Sequence, residues 1–188
     1  MEKDGKLELF SYWKQAADEC RRIRTITGGG LLGAAGVVLK SLTIPITTTL
    51  RISFAFLPFA LAGYLYGPLA AGCTGVVVDV IGYLVSSSSG PYFFGFTLNA
   101  FVNGMLYGIC LYNKKISIYR CVMACFLSMV LVNLCLNPLW LSMLYGNAFW
   151  VLLGERLFTN ALLFPVNTAM LFGILKVTER YKKLLRVP

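Results

Sequence analysis

Asp79 stands alone in the apolar run GVVVDVIGYL, with no other acidic side chain for dozens of residues on either side. An ionisable group in such a run is a functional-site hypothesis by default. Its carboxylate can accept two hydrogen bonds from a flat ligand edge, work as an acid or base, or pair with a cation such as Arg51. Asn99 and Asn103 follow at a spacing of four, which places both amides on one face of a helix. Arg51 and Arg156 are isolated cations beside apolar runs, with Asn160 one turn beyond Arg156. A guanidinium fork suits a carboxylate bidentately, or it snorkels to the interface. Tyr92, Phe93, Phe94 and Phe96 come directly after the break SSSSGP. Such rings stack on an aromatic ligand or anchor a helix at an interface.

Other chemistries are disfavoured by composition. The chain has no histidine, and its six cysteines show no CxxC spacing, so a metal site is not expected. Without histidine the commonest general base is missing. No GxxxxGK[ST] phosphate loop is present. An intramembrane enzyme built on Asp79 would lack a second carboxylate at depth, because Glu155 falls at a span end. The cysteines read as small apolar fillers.

The elements that must position these residues are membrane helices. Of 188 residues 57% are hydrophobic and 13% charged, against about a quarter charged in soluble domains. Several runs of the ~20 residues needed to cross a ~30 Å core are nearly free of charge. No alternation of the kind a membrane β-barrel needs is visible. The expected fold is therefore all-α integral membrane with six transmembrane helices. They fall at about 25–42, 52–66, 69–85, 94–112, 121–140 and 157–177, with Gly67-Pro68 as a tight turn. Leu42–Arg51 reads as an extended loop, and LSMLYGNAFWVLLGER as an amphipathic connection.

The net charge of +9 is concentrated at both ends and in NKKISIYR, which argues against nucleic acid as a partner. With six spans those three basic regions share one side, so both termini are expected in the cytoplasm. Residues 1–24 form a charged, amphipathic interfacial segment rather than a cleavable signal. Residues 25–180 form the transmembrane domain, and 181–188 a basic tail. Arg51, Arg156, the SSSSGP break and the aromatic connection then face outside, so the site opens outward.

LRISFAFLPFALAGYLYGPLAAG, GVVVDVIGYL, GPYFFGFTLNAFVNGMLYG and WLSMLYGNAFWVLL resemble the substrate-binding (S) components of energy-coupling factor (ECF) vitamin transporters, folate family. The likeness spans nearly the whole chain. It implies a six-helix protein of the bacterial cell membrane that captures folate or a related pterin from outside. Its partners would be a transmembrane coupling (T) subunit and two cytoplasmic ATPases, and the chain itself would be no enzyme and would carry no cofactor. A sister component for riboflavin or thiamine is the alternative, though neither carries the dianionic tail that two outer arginines suit. The first helix of the family docks on the coupling subunit through a small-xxx-small motif, which falls here on Gly30 and Ala34. The sequence departs from the family at SSSSG, at Phe94 and at LLGER.

Folate's pterin edge suits Asp79, and its glutamate carboxylates suit Arg51 or Arg156. Asn99 is expected at the ligand and Asn103 as a helix bridge, with Asn160 near the tail. Among Tyr92, Phe93, Phe94 and Phe96, one or two rings are expected to touch ligand. Trp140, Tyr145, Phe149 and Trp150 are lesser candidates for closing the pocket.

Overall fold

A computed structural model describes residues 18–42, 44–45, 51–85, 92–145 and 149–184. The regular structure among the described residues is helical except for one ladder of two short strands. Helix α1 spans Ile23–Ser41, α2 Phe56–Tyr66, α3 Pro68–Val85, α4 Phe94–Leu111, α5 Ile118–Leu127, α6 Asn137–Tyr145 and α7 Phe149–Leu184. Strands β1 (Ile44–Pro45) and β2 (Arg51–Ile52) pair antiparallel after α1. A π-helical segment, Ser128–Leu136, joins α5 to α6 without a break.

Among the described residues, four helices are long and apolar enough to cross a membrane: Pro68–Val85, Phe94–Leu111, Ile118–Leu144 and Arg156–Tyr181. The expected first span is a 19-residue helix that carries Arg24 and Lys40. The expected second span is shorter than read, at 11 residues, about 16 Å of rise against a core of ~30 Å. The described residues of the connection read before Leu157 are helical, since α6 runs to Tyr145 and α7 starts at Phe149. Helix α7 also continues through Leu184, into the expected basic tail. No breaking residue stands between Phe149 and Leu157 except Gly154, which an otherwise favourable helix tolerates for about 1 kcal/mol. The proposed 1–17 portion of the amphipathic leader lies outside the described residues.

The chain turns where the sequence demands. Gly67 takes φ +94°, a conformation that costs glycine little, and Pro68 opens α3 at a position that needs no N–H. Large apolar side chains face outward along the bundle, including Ile23, Leu31, Leu84 and Phe158, as expected where hydrocarbon is the solvent. The core joins Phe59, Tyr107, Leu111, Cys121, Cys125, Leu171 and Leu175 from α2, α4, α5 and α7. Cys121 and Cys125 thus act as apolar fillers, whereas Cys73 and Cys135 are exposed.

The π-helical segment has a local cause. Pro138 offers no N–H to the preceding turn, and its ring crowds the carbonyl an α-helix would place there. A wider turn upstream relieves that conflict, and such bulges recur at functional sites. The widened stretch carries Asn133 and ends at Asn137.

Candidate binding site

Five segments converge on a cavity of about 520 Å³ near the ladder end of the bundle. Lys40 comes from the last turn of α1, Asp79 and Tyr83 from α3, and Ser53 from the segment after β2. Tyr92 and Phe93 lead into α4, which carries Phe96, Asn99 and Asn103, and Asn133 and Asn137 come from the π-helical segment and α6.

The carboxylate of Asp79 organises this wall. Lys40 Nζ donates to Asp79 Oδ1 at 2.9 Å and approaches its main-chain oxygen at 3.3 Å. Thr97 Oγ1 donates to Oδ2 at 2.9 Å. Thr97 and the Tyr92 hydroxyl are 2.6 Å apart. Because the single Thr97 proton is committed to Asp79, Tyr92 must donate to Thr97. Tyr92 also lies edge-on to Tyr83, centroids 5.1 Å apart. An ionised carboxylate has about four lone-pair sites, and these contacts use one on each oxygen. One site per oxygen is left for a ligand with two parallel donors.

The aromatic wall is tied to an amide. Trp140 Nε1 donates to Asn99 Oδ1 at 3.0 Å, and Phe93 bridges Trp140 and Phe96 with centroids 5.8 and 5.9 Å away. With its oxygen engaged, Asn99 retains its two N–H donors. Asn103 Oδ1 accepts from Ser128 Oγ at 2.6 Å, which ties α4 to the π-helical segment.

A second cavity of about 660 Å³ adjoins the first, sharing Ser53, Ala55, Phe59, Asn103 and Asn133. Its far wall is α7, with Arg156, Thr159, Asn160 and Asn167. Asn160 Nδ2 donates to the Arg156 carbonyl at 2.8 Å, so its amide oxygen is the part directed to other groups. The two cavities adjoin through these shared residues, with Asp79 on the first and Arg156 on the second.

Of the residues singled out in the sequence, Asp79, Tyr92, Phe96, Asn99 and Asn103 line the first cavity, and Asn103, Arg156 and Asn160 the second. Phe94 does not join them: it is 70% exposed, because Phe96, two residues on and so about 200° round the helix, is the one that faces the cavity. The Arg51 backbone pairs with Pro45 in the ladder, while its side chain lies outside the described residues. Asp79 pairs with Lys40; a pairing with Arg51, considered from sequence, falls on a side chain outside the described residues. Gly30 and Ala34 are exposed on α1 and a Cβ on Gly30 would meet nothing within 4 Å, whereas Gly29 and Gly33 pack on α3. Lys40, Thr97, Tyr83, Asn133 and Asn137 were not singled out. Lys40 was discoverable as one of very few cations in the apolar stretch, and Thr97 from its place two residues before Asn99.

A family model described as "ECF transporter, substrate-specific component" matches residues 24–175. The folate transporter FolT of Clostridium novyi is 41% identical over 141 residues, covering 75% of this chain and 81% of that protein. FolT of Leuconostoc mesenteroides is 31% identical over 151 residues, covering 77% and 80%. A solved structure, "Crystal structure of FolT bound with folic acid", superposes with a TM-score of 0.73 at 37% identity, covering 81% of this chain and 93% of that one.

Proposed function

We propose, from the premise that this chain belongs to the substrate-specific components of ECF transporters, that it is the folate-binding subunit of an ATP-driven importer. The pair of adjoining cavities, one lined by Asp79 and the other by Arg156, carries the reading. Its lobes lie in the ~300–1,000 Å³ range of ligand sites. The likeness to folate transporters and to the folic-acid complex supports the same substrate.

In this reading the pterin edge sits on the two open acceptor sites of Asp79, which Lys40 and Thr97 hold in place. Tyr92 and Phe96 flank the ring, and Asn99 donates to a ring heteroatom. The aminobenzoate crosses the shared wall at Phe59 and Asn103, and Arg156 with Asn160 receives the glutamate. Arg51, from the ladder beside the opening, is a second cation for that tail. The chain crosses the bacterial cell membrane six times with both termini in the cytoplasm, and the cavity opens outside. The exposed Gly30 and Ala34 face of α1 docks on a coupling subunit, and two partner ATPases supply the hydrolysis that releases the vitamin inside. The subunit itself performs no reaction.

The test uses the chain purified alone in detergent, titrated with folate, riboflavin and thiamine while Trp140 and Trp150 fluorescence is followed. Saturable quenching by folate alone is expected. Tight binding of another vitamin with no response to folate would overturn the substrate.

A further inference from the structure

A third cavity, about 780 Å³, lies at the other end of the bundle, where α1 begins, α2 and α4 end, and α7 approaches its own end. We infer that it holds the phosphate headgroup of an anionic phospholipid, a site distinct from the ligand cavity and independent of the substrate assigned to it.

Cations reach this cavity from two separate elements. Arg22 and Arg24 stand at the start of α1, and Lys114 and Lys115 on the loop between α4 and α5. The acidic groups facing them are Glu19, which bridges Arg22 at 3.0 Å, and Glu179 on α7. Four positive charges against two negative leave the wall net positive. The loop is held in place: Lys114 Nζ donates to the Ile109 carbonyl and Arg120 Nη1 to the Lys115 carbonyl, each at 2.8 Å. Asn113 takes φ +54°, a conformation that asparagine tolerates better than most residues. The lysines are therefore positioned before any ligand arrives. Tyr66, Tyr112 and Tyr181 complete the wall, and their hydroxyls can donate to phosphate oxygens while the rings lie at headgroup depth.

Continuity with hydrocarbon distinguishes a lipid from free phosphate. Ile23, between the two arginines, is 81% exposed, and Ile26 and Val177 are also exposed beside the cavity. A headgroup seated among the cations would leave its acyl chains along these outward apolar side chains. Basic pockets between membrane helices bind phospholipid headgroups on this principle, each cation being worth ~1 kcal/mol near an anionic surface.

The full chain, purified in neutral detergent, is to be examined by native mass spectrometry with equimolar phosphatidylglycerol and phosphatidylcholine of matched chains. Bound phosphatidylglycerol should exceed phosphatidylcholine by roughly fivefold or more. Arg24→Gln with Lys115→Gln should bring the ratio near one. Lys176→Gln with Arg180→Gln, which removes equal charge from α7 outside the cavity, should leave it unchanged. Thermal unfolding without added lipid checks that each variant is folded. If the first pair does not fold, Lys115→Gln in the exposed loop makes the same comparison with a smaller loss. No preference in the native chain, retention in the cavity variant, or equal loss in the α7 variant would each overturn the site. Displacement of the lipid by millimolar inorganic phosphate would show a free-anion site instead and would also overturn it.

Discussion

The α2–α4 half of the bundle and the α5–α7 half are packed by different means. In the first, main chain meets main chain. A Cβ on Gly63 would lie 2.8 Å from the Gly108 nitrogen, one on Gly75 2.5 Å from the Ala100 oxygen, and one on Gly104 would collide with the Ala71 carbonyl. In the second, Gly154 and Gly173 have open space where a Cβ would go, and contact is made by side chains such as Cys125, Leu171 and Leu175. Side chains can repack around a change of volume, but abutting backbones cannot. The Asp79 lobe is thus mounted on the half with less room to adjust, and the Arg156 lobe on the more forgiving one. A rigid, planar ring suits the first, and a flexible tail suits the second.

The contrast is broken most directly at Gly104. Gly104→Val should cost about 3 kcal/mol or more and lower the unfolding temperature sharply in detergent. Gly173→Ala, in open helix, should be neutral or stabilising by up to ~1 kcal/mol. Similar melting of the two variants would remove the distinction between the halves.

At the rigid end, Asp79→Asn removes the charged acceptor shared by Lys40 and Thr97. A hydrogen bond to a charged group is worth ~1.5–3 kcal/mol, so folate affinity should fall at least tenfold. Titration with a tailless pterin should show the same loss, because the change acts at the ring. Arg156→Ala should weaken folate by roughly tenfold through its tail yet leave the tailless pterin unaffected. Equal losses on both ligands for Arg156→Ala would undo the division of the cavity into ring and tail lobes.

A smaller effect is expected from Trp140→Phe, which keeps the ring against Phe93 and loses the donor to Asn99. About 1 kcal/mol, or fivefold in affinity, should appear in a calorimetric folate titration. Smallest of all is Gly30→Leu, on the open face of α1, which should leave binding unchanged while abolishing uptake into cells carrying the complete transporter. A fall in binding would make that face part of the internal packing.

How much of this could be read in advance follows from the range over which each feature is determined. The Gly67-Pro68 turn is local chemistry and was legible. Asp79, Asn99 and Asn103 were legible because polar groups in hydrocarbon are costly and few. The partnership of Asp79 with Lys40 was not, since the two are 39 positions apart and only the packing of α1 on α3 brings them together. The π-helical segment escaped notice because Pro138 signals a disturbance without stating its form. The early start of α7 was obscured by aromatics that fit an interfacial connection as well as a helix. Phe94 and Phe96 differ in orientation by helical phase alone, and that phase depends on where α4 begins.

The Lys40–Asp79 pair also bears on how the protein is made. Either charge alone in a membrane segment carries an insertion cost of up to ~2.5–3.5 kcal/mol at mid-depth, less for Lys40 near the end of α1. Lys40 leaves the ribosome well before Asp79, so α1 must await its neutralising partner until α3 has been synthesised. Pairing with Asp79 then fixes the end of α1 against α3.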